Sequence, residues 1–142
     1  MIVIQPEIVT FERVAELDLM IFGELIASTQ KVDKILSVQH LLLVAREGDQ
    51  TVGFKLGYAY DRPGHFHSWL GGVIPKYQRQ GIATELLKKQ EEWARTKDFR
   101  TIGFNTFAEF PAIQAMGDKN GYRLVRTTNS LMGQKLWFEK LL

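Results

Sequence analysis

The sequence VIPKYQRQGIAT at residues 73–84 carries the most information about the fold. It predicts an apolar strand, a proline-marked turn, a second turn that contains Gln78 and Gly81, and then an amphipathic helix. A junction of this kind leaves consecutive backbone N–H groups unpaired at the helix N-terminus, where the helix dipole adds positive potential. Because Gly81 and Ala83 carry no bulk beyond Cβ, phosphate oxygens can approach the main chain closely. The segment therefore predicts a binding site for a diphosphate.

Length and composition favour one globular domain over residues 1–142. The chain is 45% apolar and 11% aromatic, which supports a core and argues against disorder. No apolar run approaches the ~20 residues that span a bilayer, and the first residues lack the pattern of a secretory signal. Cysteine is absent, which excludes disulfides, thiolate metal sites and cysteine nucleophiles. We expect a soluble cytoplasmic protein without a bound metal and without contact to a membrane.

The net charge of +2 arises from 18 Lys and Arg against 16 Asp and Glu. This excess is too small for a nucleic-acid-binding surface, and the basic residues form no long run. Lys88 and Lys89 lie beside Glu85, Glu91 and Glu92 in the sequence, which indicates a solvated helix face. Nucleic acid is therefore not an expected partner.

Hydrophobic periodicity and turn residues predict the element order β-α-α-β-β-β-α-β-α-β-β. The first strand is expected to end before Pro6, and Thr10 is the expected N-cap of a helix whose apolar pattern extends to Leu25. Gly121 is expected to end the last helix in a left-handed conformation. The other strands are predicted at residues 40–46, 51–60, 65–74, 100–107, 122–128 and 135–141, and the other helices at 31–37, 80–97 and 111–119. The pattern alone predicts an α+β domain built mainly from hairpins.

Residues 78–83, Gln-Arg-Gln-Gly-Ile-Ala, match the pattern Gln/Arg-x-x-Gly-x-Gly/Ala at every fixed position. The segment resembles the acetyl-CoA-binding motif of the GNAT superfamily of N-acetyltransferases. Residues 119–122, Lys-Asn-Gly-Tyr, are similar to the Lys-x-Gly-Phe segment of that family, and the element order agrees, so the resemblance covers nearly the whole chain. It implies an α+β fold with a central mixed, mostly antiparallel sheet that splays at a cofactor cleft and is flanked by helices.

The resemblance implies that acetyl-CoA, as co-substrate, lies in a gap between two neighbouring strands. Val73 is expected to donate its backbone N–H to the thioester oxygen and to stabilise the developing oxyanion. The pair Gly71 and Gly72 indicates a bulge that splays the strand beside this gap. The implied reaction is direct attack by a primary amine of a small molecule, a peptide or a protein. The residues implied in binding the diphosphate are Gln78, Arg79, Gln80, Gly81, Ile82, Ala83 and Thr84.

His67 is the candidate general base. An amine must lose a proton before it attacks a thioester, and an imidazole with an ordinary pKa near 6.5 can accept that proton. By position, the resemblance places His67 where the histone-acetyltransferase branch of the family has its glutamate base. His65 and His67 also fit exposed polar positions beside a tight turn. Ser68 and Tyr77 are weaker alternatives, because free hydroxyl groups of high pKa are poor bases.

Two departures from the family pattern affect the expected chemistry. Many members have a tyrosine that protonates the departing thiolate, four residues before the glycine that corresponds to Gly121, and this chain has Gly117 there. An asparagine that is usual at the start of the same helix is replaced by Phe110. Asn105 lies near the position of a catalytic carboxylate in some relatives. It cannot act as a base, so we expect it either to bind substrate or to satisfy the backbone.

Three functions stay open at this point. The first is an N-acetyltransferase that uses acetyl-CoA and an amine of unknown identity. The second is a non-catalytic acyl-CoA-binding or regulatory module on the same fold, which the missing tyrosine motivates. The third is a structural dimerisation domain. Relatives often dimerise, so a homodimer is a further expectation.

Overall fold

The computed structural model describes residues 1–142 and confirms the predicted order of elements. The strands are β1 (Ile2–Glu7), β2 (His40–Glu47), β3 (Gln50–Ala59), β4 (His65–Val73), β5 (Thr101–Phe107), β6 (Arg123–Ser130) and β7 (Gly133–Leu141). The helices are α1 (Phe11–Phe22), α2 (Thr29–Leu36), α3 (Ile82–Thr96) and α4 (Pro111–Lys119), and a short 3-10 turn covers Pro75–Tyr77. None of the four helices is long and apolar enough to cross a bilayer.

All seven strands form one sheet in the order β1-β2-β3-β4-β5-β7-β6. Neighbouring strands are antiparallel except β4 and β5, which are parallel. This parallel pairing is short, because it runs only from His65 opposite Thr101 to His67 opposite Gly103. The pairing of β4 with β3 continues as far as Val73. The sheet therefore opens between β4 and β5, as the predicted fold class requires.

Two hydrophobic clusters form the core, one on each face of the sheet. The first packs α3 against the sheet and includes Phe66 and Leu86. The second packs α1 and α2 and includes Leu17, Ile35 and Phe54. Full burial of one such side chain contributes about 1.5–3 kcal/mol. The two clusters hold the helices while the gap between β4 and β5 stays open.

The ends of α1 follow from its capping residues. The side chain of Thr10 accepts a hydrogen bond from the N–H of Arg13 at 3.0 Å, which confirms the predicted N-cap. The helix ends at Phe22, because Gly23 adopts a left-handed conformation with φ of 73°. The prediction that the helical pattern extends to Leu25 is therefore wrong, and Leu25 is exposed.

The first strand also differs from its prediction, because β1 continues through Pro6 to Glu7. The residue opposite Pro6 is Leu43 of β2, and β1 has no other neighbour in the sheet. Proline is tolerated on an edge strand, where the missing N–H faces away from the partner. Pro6 thus lies inside the strand instead of ending it.

The predicted solvated face of α3 is only partly solvated. Lys88 and Lys89 are exposed, but Glu91 is buried. Its carboxylate accepts hydrogen bonds from the Tyr122 hydroxyl at 2.7 Å and from Lys140 Nζ at 3.1 Å. Burial and the bond to Glu91 raise the pKa of Tyr122, so this phenol stays neutral. Glu91 therefore ties α3 to β7 and to the residue that precedes β6.

Candidate active site

The turn before α3 presents a row of free backbone donors. Arg79 and Gly81 both adopt left-handed conformations, with φ of 65° and 83°. The N–H groups from Arg79 to Thr84 donate no hydrogen bond within the chain, and the first paired N–H is that of Glu85, which donates to the Gly81 carbonyl at 3.0 Å. No side chain caps this helix end. These donors lie at the positive end of α3, so the turn can bind a diphosphate.

Gln78 has a different place in this turn. Its side-chain Nε2 donates to the carbonyl oxygen of Val73 at 3.0 Å, and its backbone N–H donates to the carbonyl of Pro75 at 3.2 Å. Both bonds fasten the start of the turn to the end of β4. Gln78 therefore shapes the turn, and its backbone N–H is not among the free donors.

Further backbone N–H groups point into the gap between β4 and β5. The N–H of Ile74 donates to the carbonyl of Val52 at 2.9 Å and so points toward β3. Successive residues of an antiparallel strand point their N–H groups to opposite sides. The N–H groups of Gly71 and Val73 therefore point away from β3, into the gap. This direction suits the donor role predicted for Val73, and it adds Gly71 as a donor that the sequence analysis missed.

A bulge interrupts β4 before these donors. Leu56 pairs with Leu70 and Gly57 pairs with Ser68, which leaves Trp69 as an extra residue. The prediction that the two consecutive glycines form the bulge is therefore wrong. Such an extra residue bends a strand and increases its twist, which helps to separate β4 from β5.

The two glycines instead permit close packing against β4. A Cβ on Gly72 would lie 2.5 Å from Cγ2 of Ile21 in α1. A Cβ on Gly71 would lie 2.7 Å from the carbonyl oxygen of Phe54 and 3.4 Å from Cγ of Lys55. The absence of side chains here lets α1 and the Lys55 side chain lie directly over the strand.

The gap encloses a cavity of about 280 Å³. Residues 68–73 of β4 form one wall, and α3, α4, β3 and β5 supply the others. A groove of about 460 Å³ lies at the turn before α3 and shares Val73, Ala83, Ile113 and Met116 with the cavity. Free backbone donors, groove and cavity are therefore continuous, and the volumes suit a small-molecule site.

Lys55 is the only ionisable side chain in the wall of this cavity. Its ammonium group has no salt-bridge partner, and burial lowers its pKa to about 8, against the opposing charge of Glu91. Lys55 could not be predicted from the sequence, because a lysine within a strand pattern does not indicate what lies on the neighbouring strand. The one sequence feature that could have indicated this site is Gly71, the glycine that lies opposite Lys55 on β4.

The two hydroxyl alternatives of the sequence analysis lie along the same channel. Ser68 is in the cavity wall, and its buried Oγ has no hydrogen-bond partner. Tyr77 lines the groove at the turn. An unpaired buried hydroxyl is costly unless something binds it, so Ser68 is available to a ligand.

His67 lies outside the cavity wall. Its ring is buried against aromatic rings, with centroid distances of 5.7 Å to Tyr58, 5.3 Å to Tyr60 and 6.2 Å to Trp137. Burial, together with nearby positive charge, lowers the pKa of His67 to about 3. The structure does not bring His67 together with Val73, and the expectation that His65 and His67 are exposed is wrong, because both are 4% exposed.

Asn105 and Gly117 both lie in the cavity wall. The side chain of Asn105 makes no hydrogen bond within the chain, so its amide is free for a substrate, and that role stays a prediction. Gly117 contributes no polar group, so α4 offers no hydroxyl at this position. Gly117, where the sequence departs from the family pattern, is thus part of the cavity wall.

A family model described as the acetyltransferase (GNAT) family matches residues 12–122. No curated protein sequence matches the chain.

Solved structures of similar shape are acetyltransferases. A GNAT family acetyltransferase from Elizabethkingia anophelis with acetyl-CoA bound has a TM-score of 0.81 and 18% identity, with 99% of this chain and 98% of that chain covered. An acetyltransferase from Bacillus subtilis in complex with CoA has a TM-score of 0.81 and 17% identity, with coverage of 100% and 99%. The ribosomal-protein-S18-alanine N-acetyltransferase from Escherichia coli has a TM-score of 0.79 and 14% identity, with coverage of 99% and 94%. At these identities the likeness establishes the fold.

Proposed function

The chain belongs to the GNAT family of acetyltransferases, and we propose that it transfers the acetyl group of acetyl-CoA to a primary amine by direct attack. It is an acyltransferase, and acetyl-CoA is its co-substrate. The observation that carries the proposal is the continuous channel from the free N–H groups of residues 79–84 to those of Gly71 and Val73. A structural neighbour named as an alanine N-acetyltransferase supports an amine as the acceptor.

The site residues fit acetyl-CoA along its length. The donors from Arg79 to Thr84 suit the diphosphate, and the cavity suits an extended arm that ends in a thioester. When bound, acetyl-CoA supplies a carbonyl carbon that an amine can attack. Gly71 and Val73 point N–H groups into the cavity, where they would stabilise negative charge on the carbonyl oxygen. One such donor is worth about 2.7–4 kcal/mol in a comparable oxyanion site.

Lys55 is the group that we assign to the leaving sulfur. Its pKa of about 8 lies near the ~8.5 of an ordinary thiol, so its ammonium can donate a proton to a departing thiolate. The proton would pass from Nζ to sulfur as the carbon–sulfur bond breaks, the attacking nitrogen would release one of its protons to solvent, and solvent would then restore the ammonium. Lys55 would thus take the role of the tyrosine that is absent at position 117.

His67 is not assigned as the general base. An imidazole with a pKa of about 3 binds a proton weakly, and His67 lies outside the cavity wall. We propose instead that the acceptor attacks as the neutral amine, with Asn105 in contact with it. We also propose that residues 1–142 act as one domain, because one sheet includes all seven strands. A homodimer and a cytoplasmic location stay predictions from the sequence.

Calorimetric titration with acetyl-CoA, followed by thiol release with a panel of primary amines, tests the proposal. We expect binding that stabilises the protein by about 2.7 kcal/mol when acetyl-CoA is present at about 100 times its Kd. We also expect release of free CoA that depends on one class of amine. Binding without release by any amine would favour the non-catalytic module, and absence of binding would contradict the proposal altogether.

A further inference from the structure

The side chain of Lys55 lies over Gly71 of the neighbouring strand. The two residues are opposite each other in the pairing of β3 with β4, and a Cβ on Gly71 would be 3.4 Å from Cγ of Lys55. Phe54 and Leu56 pack in the cluster under α1 and α2, so Lys55 between them faces the side of the sheet that carries α3. Lys55 and Gly71 thus form adjoining parts of the cavity wall.

The contact with Gly71 places Lys55 beside the reacting end of a bound thioester. The N–H group of Gly71 points into the gap, where it suits the carbonyl oxygen of the thioester. The carbonyl carbon and the sulfur of a thioester are directly bonded to each other. A side chain whose Nζ reaches the sulfur as an ammonium therefore also reaches the carbonyl carbon as a neutral amine.

No carboxylate pairs with Lys55 to hold it in its charged form. Glu91 of α3 is the charged group that acts on it, and that carboxylate already accepts hydrogen bonds from Tyr122 at 2.7 Å and from Lys140 Nζ at 3.1 Å. With a pKa of about 8, about one-tenth of Lys55 is a neutral amine at pH 7, against less than about one-thousandth of an ordinary lysine. Lys55 is therefore itself a primary amine in the reactive form, inside the cavity.

We propose that Lys55 is a site of self-acetylation, which the protein modifies with its own bound acetyl-CoA when no acceptor amine is present. This inference rests on the proposed function. The neutral Nζ attacks the carbonyl carbon, and the carbon–sulfur bond breaks with its electron pair on sulfur. The proton that the nitrogen loses passes through solvent to the thiolate, so the products are Nζ-acetyl-lysine and CoA. An amide nitrogen is uncharged and a poor acid, so the modified protein lacks the proton donor assigned to the leaving sulfur.

Peptide mapping by mass spectrometry, after incubation with acetyl-CoA and no amine, tests the proposal. Lys88 and Lys89 are internal controls, because they are exposed on α3 and meet acetyl-CoA only from solvent. We expect Lys55 to gain an acetyl group about tenfold or more faster than either control at pH 7, since its neutral fraction is larger and a bound thioester lies beside it. Equal rates at the three lysines would overturn the proposal.

The pH profile of the modification distinguishes Lys55 from an exposed lysine. The rate at Lys55 should rise up to about pH 8, which is its pKa, and then level off. The rates at Lys88 and Lys89 should continue to rise toward about 10.4, the ordinary pKa of lysine. A saturating primary amine that the protein acetylates should slow the reaction at Lys55, because both amines compete for one thioester. A profile at Lys55 that follows the two controls would contradict the proposal.

Ala83→Asp tests whether the bound donor is the source of the acetyl group. The substitution places a carboxylate beside the N–H groups of the turn, so below the Kd for acetyl-CoA it should slow acetylation of Lys55 about tenfold or more. The thioester S-acetyl-N-acetylcysteamine, which has no diphosphate, should acetylate Lys55 at the same rate in both proteins. Equal rates in both proteins with acetyl-CoA would show that the acetyl group arrives by collision from solution, against the proposal.

Calorimetry with acetyl-CoA separates this proposal from the proposed function. Binding of acetyl-CoA without an acetyl group at Lys55 would overturn self-acetylation and leave acetyl transfer standing. Absence of binding would contradict the proposed function. In that case, faster acetylation of Lys55 than of Lys88 by S-acetyl-N-acetylcysteamine would support a reactive amine in the cavity, and equal rates would overturn it.

Discussion

The ring of Phe104 occupies the space that a side chain on Gly117 would need. A Cβ at Gly117 would lie only 2.7 Å from Cζ of Phe104. Phe104 cannot easily yield, because it stacks on Phe138 at a centroid distance of 5.2 Å and meets the edge of Tyr122 at 5.3 Å. Packing, as well as the sequence, therefore excludes a tyrosine acid at this position.

Gly117→Ala should lower the free energy of unfolding by about 1–3 kcal/mol, the usual cost of overpacking, although alanine is the better helix former. Phe104→Leu should remove that penalty, because it shortens the side chain that the new methyl group meets. Urea denaturation of both single variants and of the double variant measures the coupling between the two residues. Strictly additive effects would show that the two positions do not compete for space.

Ala83→Asp places a carboxylate beside the free donors of the turn. Acetyl-CoA should then bind about tenfold or more weakly, since one carboxylate repels the diphosphate and competes for the same N–H groups. The melting temperature should stay level or rise, because an acidic residue in the first turn of α3 suits the helix dipole. Ala115→Asp, at an exposed position of α4 outside the groove, is the control. Equal loss of affinity in both variants would contradict the assignment.

Lys55→Met should stabilise the protein in the absence of ligand. The pKa of Lys55 is lowered from 10.5 to about 8, so between these values the unfolded chain binds more protons than the folded chain. The free energy of unfolding in the wild type should therefore rise with pH from about 8 to about 10.5, by up to about 3 kcal/mol. Lys55→Met should abolish that rise and increase stability at pH 7. Denaturation at several pH values measures both effects.

The same position should also control turnover. We expect Lys55→Met to lower kcat about tenfold or more, at the low end for a general acid because a thiolate leaves readily. Lys55→Arg is the informative control, because it keeps the positive charge but holds its proton too tightly to donate it. Full activity in Lys55→Arg would show that the charge of Lys55 matters and its proton does not.

His67→Leu should change kcat by less than about threefold, whereas loss of a general base costs about 100-fold or more. The variant should also resist acid better than the wild type. Because the pKa of His67 is lowered to about 3, the unfolded chain binds more protons between that value and 6.5, and wild-type stability falls as the pH drops through this window. The slope should be about 1.4 kcal/mol per pH unit, and leucine should remove it. A fall in kcat of about 100-fold or more would instead identify His67 as the general base.

Local signals were enough to predict the order of the elements and the turn that carries the free backbone N–H groups. Thr10, Pro111 and Gly121 act on the backbone within a few residues, so their effects can be predicted from sequence alone. The family resemblance supplied the cleft between strands. Lys55 and Trp69 could not be found in this way, because their roles depend on the register of β3 against β4.

His67 shows how one undetected β-bulge alters a prediction. In a regular strand, His67 and Val73 would lie on the same face, since their spacing is even. The extra residue Trp69 inverts the alternation between them. His67 therefore faces Tyr58, while Val73 packs with the cluster under α3. Counting along the chain placed His67 on the correct strand but could not place it on the correct face.

The turn that we propose binds the diphosphate presents main-chain N–H groups, and every amino acid except proline carries the same amide. Drift in the residues that form it should therefore leave the acyl donor unchanged, provided that positions 79 and 81 can still adopt their left-handed backbone. The cavity beyond it is lined by side chains such as Lys55, Ser68 and Asn105, and a single replacement there can change what it accepts. Substitutions that alter the acceptor can therefore accumulate while the site for the acyl donor persists.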